Sequence, residues 1–193
     1  MDRARLTLLV VALAGAAALP WIGGPFWTGL ATQMLIFGLL ALSVDLLLGH
    51  AGLFSITHAS FFAVSAYTVA ILQVRYGWPT LAAAPAGILL GTLLAAVFGI
   101  SVRTRGVYFI LITIALGYVV WGVAHRWSSF TGGDNGVTNV PFPAAGPLAV
   151  TSHTQYYYVV LAAVTLCGLG YRVLIRSPFG LGLWASVGPS WLP

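Results

Sequence analysis

The eight arginines and three aspartates of this 193-residue chain stand almost entirely between long apolar runs rather than inside them. With 60% of residues hydrophobic and 6% charged, a water-soluble fold would have almost no polar surface to present to solvent. The chain therefore reads as an integral membrane protein. A spanning helix takes about 20 mostly apolar residues, so this length holds about six spans with short connections and no separate soluble domain. The expected spans are 6–19, 28–48, 56–74, 81–101, 107–124 and 156–174. Helices are expected because the runs are continuous in Leu, Ala, Val and Ile, whereas barrel strands alternate polar and apolar over about ten residues. The fold class is all-α: one polytopic transmembrane bundle over residues 1–193, with a broken helix join near 49–58.

Short cytoplasmic loops hold more arginine than external ones. Under the six-span assignment Arg3, Arg5, Arg103, Arg105, Arg172 and Arg176 fall on one side and Arg75 and Arg126 on the other, which puts both termini in the cytoplasm. The start of the chain has a rival reading. Arg3 and Arg5, the apolar run from Leu6 and the small residues Ala16 to Ala18 also resemble a cleavable signal peptide. Against this, Trp21, Phe26 and Trp27 follow at the spacing of an external aromatic belt.

Several chemistries are disfavoured. Cys167 is alone in an apolar run, so no intrachain disulfide forms and packing is its default role. His50, His58, His125 and His153 lack metal-site spacing and have no carboxylate cluster beside them, so no metal is expected. The chain has no lysine, so a G-x-x-x-x-G-K-[ST] phosphate loop cannot exist and any nucleotide-driven step needs an ATPase on another polypeptide. Asp2, Asp45 and Asp134 are the whole acidic inventory, too few for paired acid–base catalysis, and no enzymatic activity is expected.

The most polar stretch at membrane depth is the join that follows Asp45: Gly49, His50, Gly52, Ser55, Thr57 and His58. Gly49 is placed to end one helix, and Ser55 or Thr57 to cap the next. One reading is a tight cytoplasmic turn with two interface histidines. The other is a broken transport element that aims a helix N-terminus at an anionic group such as an amino-acid carboxylate, with Asp45, His50, Ser55, Thr57 and His58 along the substrate path. Asp45 favours the second, since a carboxylate at a helix centre costs about 2.5 to 3.5 kcal/mol, although at the interface it would reach headgroup water cheaply.

The longest polar segment carries Thr131, Gly132, Gly133, Asp134, Asn135 and Gly136 and falls on the external side. Its glycine and Asx content indicates turns. It is read either as a surface that receives an external partner or as a structured loop. In the fourth span Ala83, Gly87, Gly91, Ala95 and Gly99 recur every four residues, a smooth ridge suited to close helix packing.

Four segments together resemble a known family. They are residues 41–48 leading into Gly49, Gly52, Leu53, Ser55, His58, Ala59, Phe61, Phe62, Ala66 and Tyr67; Arg103, Arg105, Gly106, Val107, Tyr108 and Phe109 with Thr113; Thr131, Gly132, Gly133, Asn135, Gly136 and Pro141; and Arg176, Ser177, Pro178, Phe179 and Gly180. In this order they resemble the M-type inner-membrane permease subunits of branched-chain amino acid ABC transporters. The resemblance covers residues 30–180. It implies a subunit that forms part of a translocation path alongside a second permease subunit, two cytoplasmic ATPase subunits that bind the ATP, and an external substrate-binding protein. It implies contact with that binding protein through the 131–136 loop, membrane lipid as surroundings and no nucleic-acid partner. It also implies that Arg176, Ser177, Pro178, Phe179 and Gly180 begin a cytoplasmic coupling element that docks on the ATPase.

The chain departs from the family in two places. Members carry asparagine where Asp45 stands. After Gly180 they continue with an arginine-rich and acidic helix and further spans, whereas residues 181–193 read as an aberrant segment expected from a truncation or a shifted frame. The competing expectations of other classes are a self-contained small channel or carrier, and an inactive membrane scaffold.

Overall fold

The computed structural model describes residues 3–104, 106–145 and 148–178, with 180 and 182. Its elements are α1 (Arg3–Asp45), a π-turn (Leu46–His50), α2 (His58–Tyr76), α3 (Thr80–Phe98), a 3-10 turn (Gly99–Arg103), α4 (Val107–Arg126), the single turn α5 (Ser128–Thr131), a 3-10 turn (Gly133–Asn135), and α6 (His153–Arg176). The two-residue strands β1 (Ala144–Ala145) and β2 (Leu148–Ala149) pair antiparallel in the loop before α6. Among the described residues four helical stretches are long and apolar enough to cross a membrane: Val11–His50, Thr80–Arg103, Val107–Arg126 and His153–Arg176. The polytopic helical bundle is as expected. Helix α2, which carries Ser60, Ser65, Gln73 and Arg75, is not among those four, and the first stretch holds two of the expected spans in one helical element.

That element is broken at Gly24, whose φ of 70° lies in the left-handed region that a Cβ disfavours. Pro25 follows, supplying no N–H and a φ preset for a helix start. Thr28 Oγ1 donates to the Gly24 carbonyl at 2.9 Å, tying the first turn after the break back to it. Contacts with α6 measure the bend. Tyr157 Oη donates to the Ala16 carbonyl (2.6 Å) and Tyr158 Oη to that of Ala17 (2.9 Å), while Tyr171 Oη donates to the Asp45 carboxylate. Helix α6 rises about 21 Å from Tyr157 to Tyr171, but a straight α1 would set Ala16 and Asp45 about 43 Å apart. Folding back at Gly24 sets them about 18 Å apart along the axis, which fits. The break thus recovers the two separate spans read from the sequence.

Helices α2 and α3 form the closest pair. Ala83, Gly87 and Gly91 are buried, and they face Ser65 and Val69 of α2 so tightly that an added Cβ at Gly87 would lie 2.8 Å from the Ser65 carbonyl. The four-residue ridge therefore packs against α2, but only along these three positions, since a Cβ at Gly99 would meet nothing within 4 Å. Gly77, left-handed at φ 64°, closes α2, and Gln73 Nε2 donates to Thr80 Oγ1 at 2.6 Å across the turn.

The interior is inverted relative to a soluble domain. Buried polar side chains (Thr28, Thr32, Ser55, Thr57, Ser60, Gln73, Thr113, Thr131) outnumber the buried hydrophobic ones (Ile71, Ala83, Phe109, Tyr157), and large apolar residues cover the outside. Lipid supplies no driving force to bury Leu, so small residues and hydroxyls take the contacts between helices. Thr32 and Thr113 turn their hydroxyls back onto the carbonyls of Thr28 (2.7 Å) and Ile110 (2.8 Å), so their burial leaves no donor unmet.

Candidate functional site

A groove of about 750 Å³ runs between α2 and α4. It begins at Ile56, in the join before α2, and passes Ala59, Ser60, Ala63 and Tyr67 on one wall and Thr113, Gly117, Val120 and Ala124 on the other. It ends at Trp121, His125, Gly133 and Asp134. Its size falls in the ordinary range of small-molecule sites. It links the two polar joins that the sequence singles out.

The first join divides in two. Asp45 and His50 turn toward α6: the Asp45 carboxylate accepts from Tyr171, and the Tyr171 ring meets His50 edge-on at 6.1 Å. Asp45 is exposed on the protein surface at the end of α1, five residues before the end of the apolar stretch Val11–His50. A Cβ built on Gly49 would sit 2.9 Å from Asp45 Oδ1, a contact that rotation of the carboxylate relieves. Gly49 does not end the helix as expected; it lies within the π-turn that extends α1 to His50. The second half leads into α2, with Ile56 alone on the groove wall. Ser55 and Thr57 are buried and bond each other through their hydroxyls at 2.8 Å. Thr57 holds the N-cap position of α2, yet neither hydroxyl caps that helix as expected, because each already has the other as partner. The ring of His58 lies against Phe61 at 6.0 Å, and the buried Nδ1 atoms of His50 and His58 have no hydrogen-bond partner among the described residues.

None of Asp45, His50, Ser55, Thr57 and His58 lines the groove; their neighbours Ile56, Ala59 and Ser60 do. Sequence reading missed Ser60 and Gly117, and noted Tyr67 and Thr113 only within the family motifs. The available signal was a helical one: Ser60, Ala63 and Tyr67 share one face of α2, and Thr113, Gly117, Val120 and Ala124 one face of α4.

The second join is a knotted loop held by one hydroxyl. Thr131 Oγ1 donates to the carbonyls of Ala124 and Trp127 and accepts from the Gly133 amide at 3.2 Å. Gly132, left-handed at φ 84°, comes so near Gly136 that a Cβ would lie 2.1 Å from its carbonyl. Asp134 Oδ1 reaches His125 Nδ1 at 3.0 Å, and His125 stacks on Trp121 at 5.1 Å. Asn135 lies in the 3-10 turn. Arg75, at the end of α2, donates to the Ser129 carbonyl and lies 5.1 Å over the Phe130 ring, so the end of α2 meets the turn that follows α4.

At the end of α6, Arg176 completes the helix and Ser177 caps it, its Oγ donating to the Leu174 carbonyl at 2.6 Å. Pro178 follows, and the Gly180 amide donates to Ser177 Oγ at 3.4 Å. Phe179 and residues 183–193 lie outside the described residues. No group of three or more metal-ligating side chains occurs among the described residues.

Comparison with known proteins agrees with this architecture. Residues 26–188 match the family described as branched-chain amino acid transport system / permease component. The chain is 33% identical over 143 residues to the high-affinity branched-chain amino acid transport system permease protein LivM of Escherichia coli, covering 70% of this chain and 32% of that protein. It is 28% identical over 151 residues to LivM of Salmonella typhimurium, covering 78% and 35%. The chain thus spans about a third of the length of these relatives. No solved structure gives a significant match. With its bundle of apolar helices and a family match over most of its length, the chain is a multi-pass membrane protein that belongs to the permease components of branched-chain amino acid transport systems.

Proposed function

We propose that this chain is a permease subunit of an ATP-driven importer of branched-chain amino acids or related small molecules, and that the α2–α4 groove is its share of the translocation path. The observation that carries the reading is the groove itself, which connects the join before α2 with the glycine-rich loop after α4 along the helices that hold the family motifs. Small and hydroxyl-bearing residues line its middle, a surface on which an aliphatic side chain slides without a deep trap. The described helices act as one permease unit in the inner membrane, with both termini cytoplasmic.

In this reading the 131–136 loop receives an external binding protein. Arg176, Ser177, Pro178, Phe179 and Gly180 lead toward a cytoplasmic ATPase that binds the ATP, and a second permease subunit completes the path. Closure of the ATPase pair would reach the bundle through α6, whose Tyr171 holds the end of α1. The chain itself contributes binding surface and motion rather than catalysis.

The test is purification of the tagged chain from its own membranes, followed by reconstitution with whatever subunits accompany it. Co-purification of an ATPase and a second permease, with leucine uptake that requires ATP, is the expected result. Leucine flux that needs no nucleotide, or a chain that purifies without an ATPase, would overturn it.

A further inference from the structure

The first turn of α2, which reaches the groove wall at Ala59 and Ser60, leaves polar groups without partners. Its N-cap makes no side-chain hydrogen bond, because Thr57 and Ser55 are bonded to each other. Ser60 and Phe61 donate their amides to the Thr57 carbonyl (2.9 and 3.3 Å), but the amides of His58 and Ala59 find no acceptor among the described residues. Ser60 is more than nine-tenths buried, lines the groove, and its Oγ makes no hydrogen bond among the described residues. Helix-end amides are normally satisfied. Here two amides and a hydroxyl are left on one turn of a 19-residue helix.

The opposite wall is shaped to suit. Gly117 of α4 stands across from Ser60, and a Cβ built there would lie 3.6 Å from Ser60 Oγ, so the absence of a side chain keeps the space before the hydroxyl open. The groove is also electrically polar along its length. The partial positive end of α2 lies at one end and Asp134, the one carboxylate among the lining residues, at the other. Ser60 and Tyr67 are about 10 Å apart along α2, and the Tyr67 hydroxyl is 3.9 Å from a Cβ built on Gly136, beside Asp134. One amino acid cannot touch both ends. It would meet the acid end first and then travel carboxylate-foremost toward α2.

We propose that the free Ala59 amide and the Ser60 hydroxyl, backed by the neighbouring free amide of His58, form a carboxylate-binding station for an α-amino acid, with Gly117 providing its clearance. The station rests on the transport reading for its occupant, but its preference for anions stands on the geometry alone. Charge-assisted hydrogen bonds to helix-end amides are among the stronger polar contacts available to an uncharged wall. Ser60 donates its hydroxyl proton to the bound carboxylate, while the preference for the anion over the corresponding amide comes from the free helix-end amides and the partial positive charge of that end.

The experiment uses the assembled transporter in membrane vesicles with Cys167→Ala, so that Ser60→Cys is the single thiol of this chain. Labelling rates are compared for a methanethiosulfonate reagent bearing a sulfonate and its trimethylammonium analogue, with and without leucine or leucinamide. The sulfonate reagent is expected to react about two- to fivefold faster after correction for reagent reactivity, the factor given by a helix-end charge interaction. Leucine should slow it and leucinamide should not. Equal rates, absence of labelling by either reagent, or protection by both compounds would overturn the station. Should Ser60→Cys not assemble, Ala59→Cys gives the same readout beside the free amides. ATP-driven leucine uptake by the unsubstituted transporter is measured in parallel: uptake without anion preference removes only the station, and anion preference without uptake removes only the import reading.

Discussion

Replacing Gly87 by alanine should force α2 and α3 apart. The new Cβ would lie 2.8 Å from the Ser65 carbonyl and 2.6 Å from Val69 Cγ2, against 3.4 Å for ordinary contact, so the backbones must separate by about 0.6 Å at that point. A gap of that size forfeits a quarter to a half of each neighbouring contact, and overpacking of this kind costs about 1 to 3 kcal/mol. For a chain of 193 residues the midpoint of thermal unfolding in detergent should fall by about 2 to 12 °C. Removing the Val69 side chain should not rescue it, because the carbonyl stays in place. Gly91→Ala differs: its Cβ meets the Ser65 hydroxyl at 2.0 Å but nothing else closer than 3.4 Å, so adding Ser65→Ala should restore stability. Gly99→Ala, with open space around it, is the control. If Gly87→Ala melts within about 1 °C of that control, well inside the expected shift, the ridge is not a packed interface and the reasoning fails.

Two further outcomes follow from the polar contacts. Gly132→Ala combines a left-handed φ of 84° with a Cβ 2.1 Å from a carbonyl, so it should lower the melting midpoint more than Gly87→Ala and open the loop to proteolysis; an unchanged digestion pattern would refute this. A double-mutant cycle of Tyr171→Phe and Asp45→Asn should give a coupling of about 1 kcal/mol, since one hydrogen bond to a carboxylate joins them, and zero coupling would show that α1 and α6 are held otherwise.

The helices and their class are legible in the chain because apolar runs of spanning length admit few other structures in lipid. Even the split of α1 is visible, through Pro20, Pro25 and the cluster of Trp21, Phe26 and Trp27 around Gly24. The candidate site is less so. Asp45 meets a tyrosine 126 positions away, and no local pattern announces that pairing. Ser55 and Thr57 have the right types to cap α2, but whether two hydroxyls two residues apart serve the backbone or each other depends on side-chain geometry that the order of residues does not encode. Ser60 lies one turn past the residues chosen from the sequence, and its importance comes from facing Gly117 on a helix nearly sixty positions further on.

Where α2 and α4 are tied matters for how they can move. Arg75 clasps Ser129 and Phe130, and Thr131 pins the loop to the last turn of α4, all at the Asp134 end of the groove. A pair of rods fastened at one end behaves as tongs. About 30 Å separates the ends of α4, so a rotation of about 5° at the clasp would widen the Ile56 end by about 2.6 Å while the clasped mouth barely changes. Any force applied away from the clasp is thereby geared toward the far jaw.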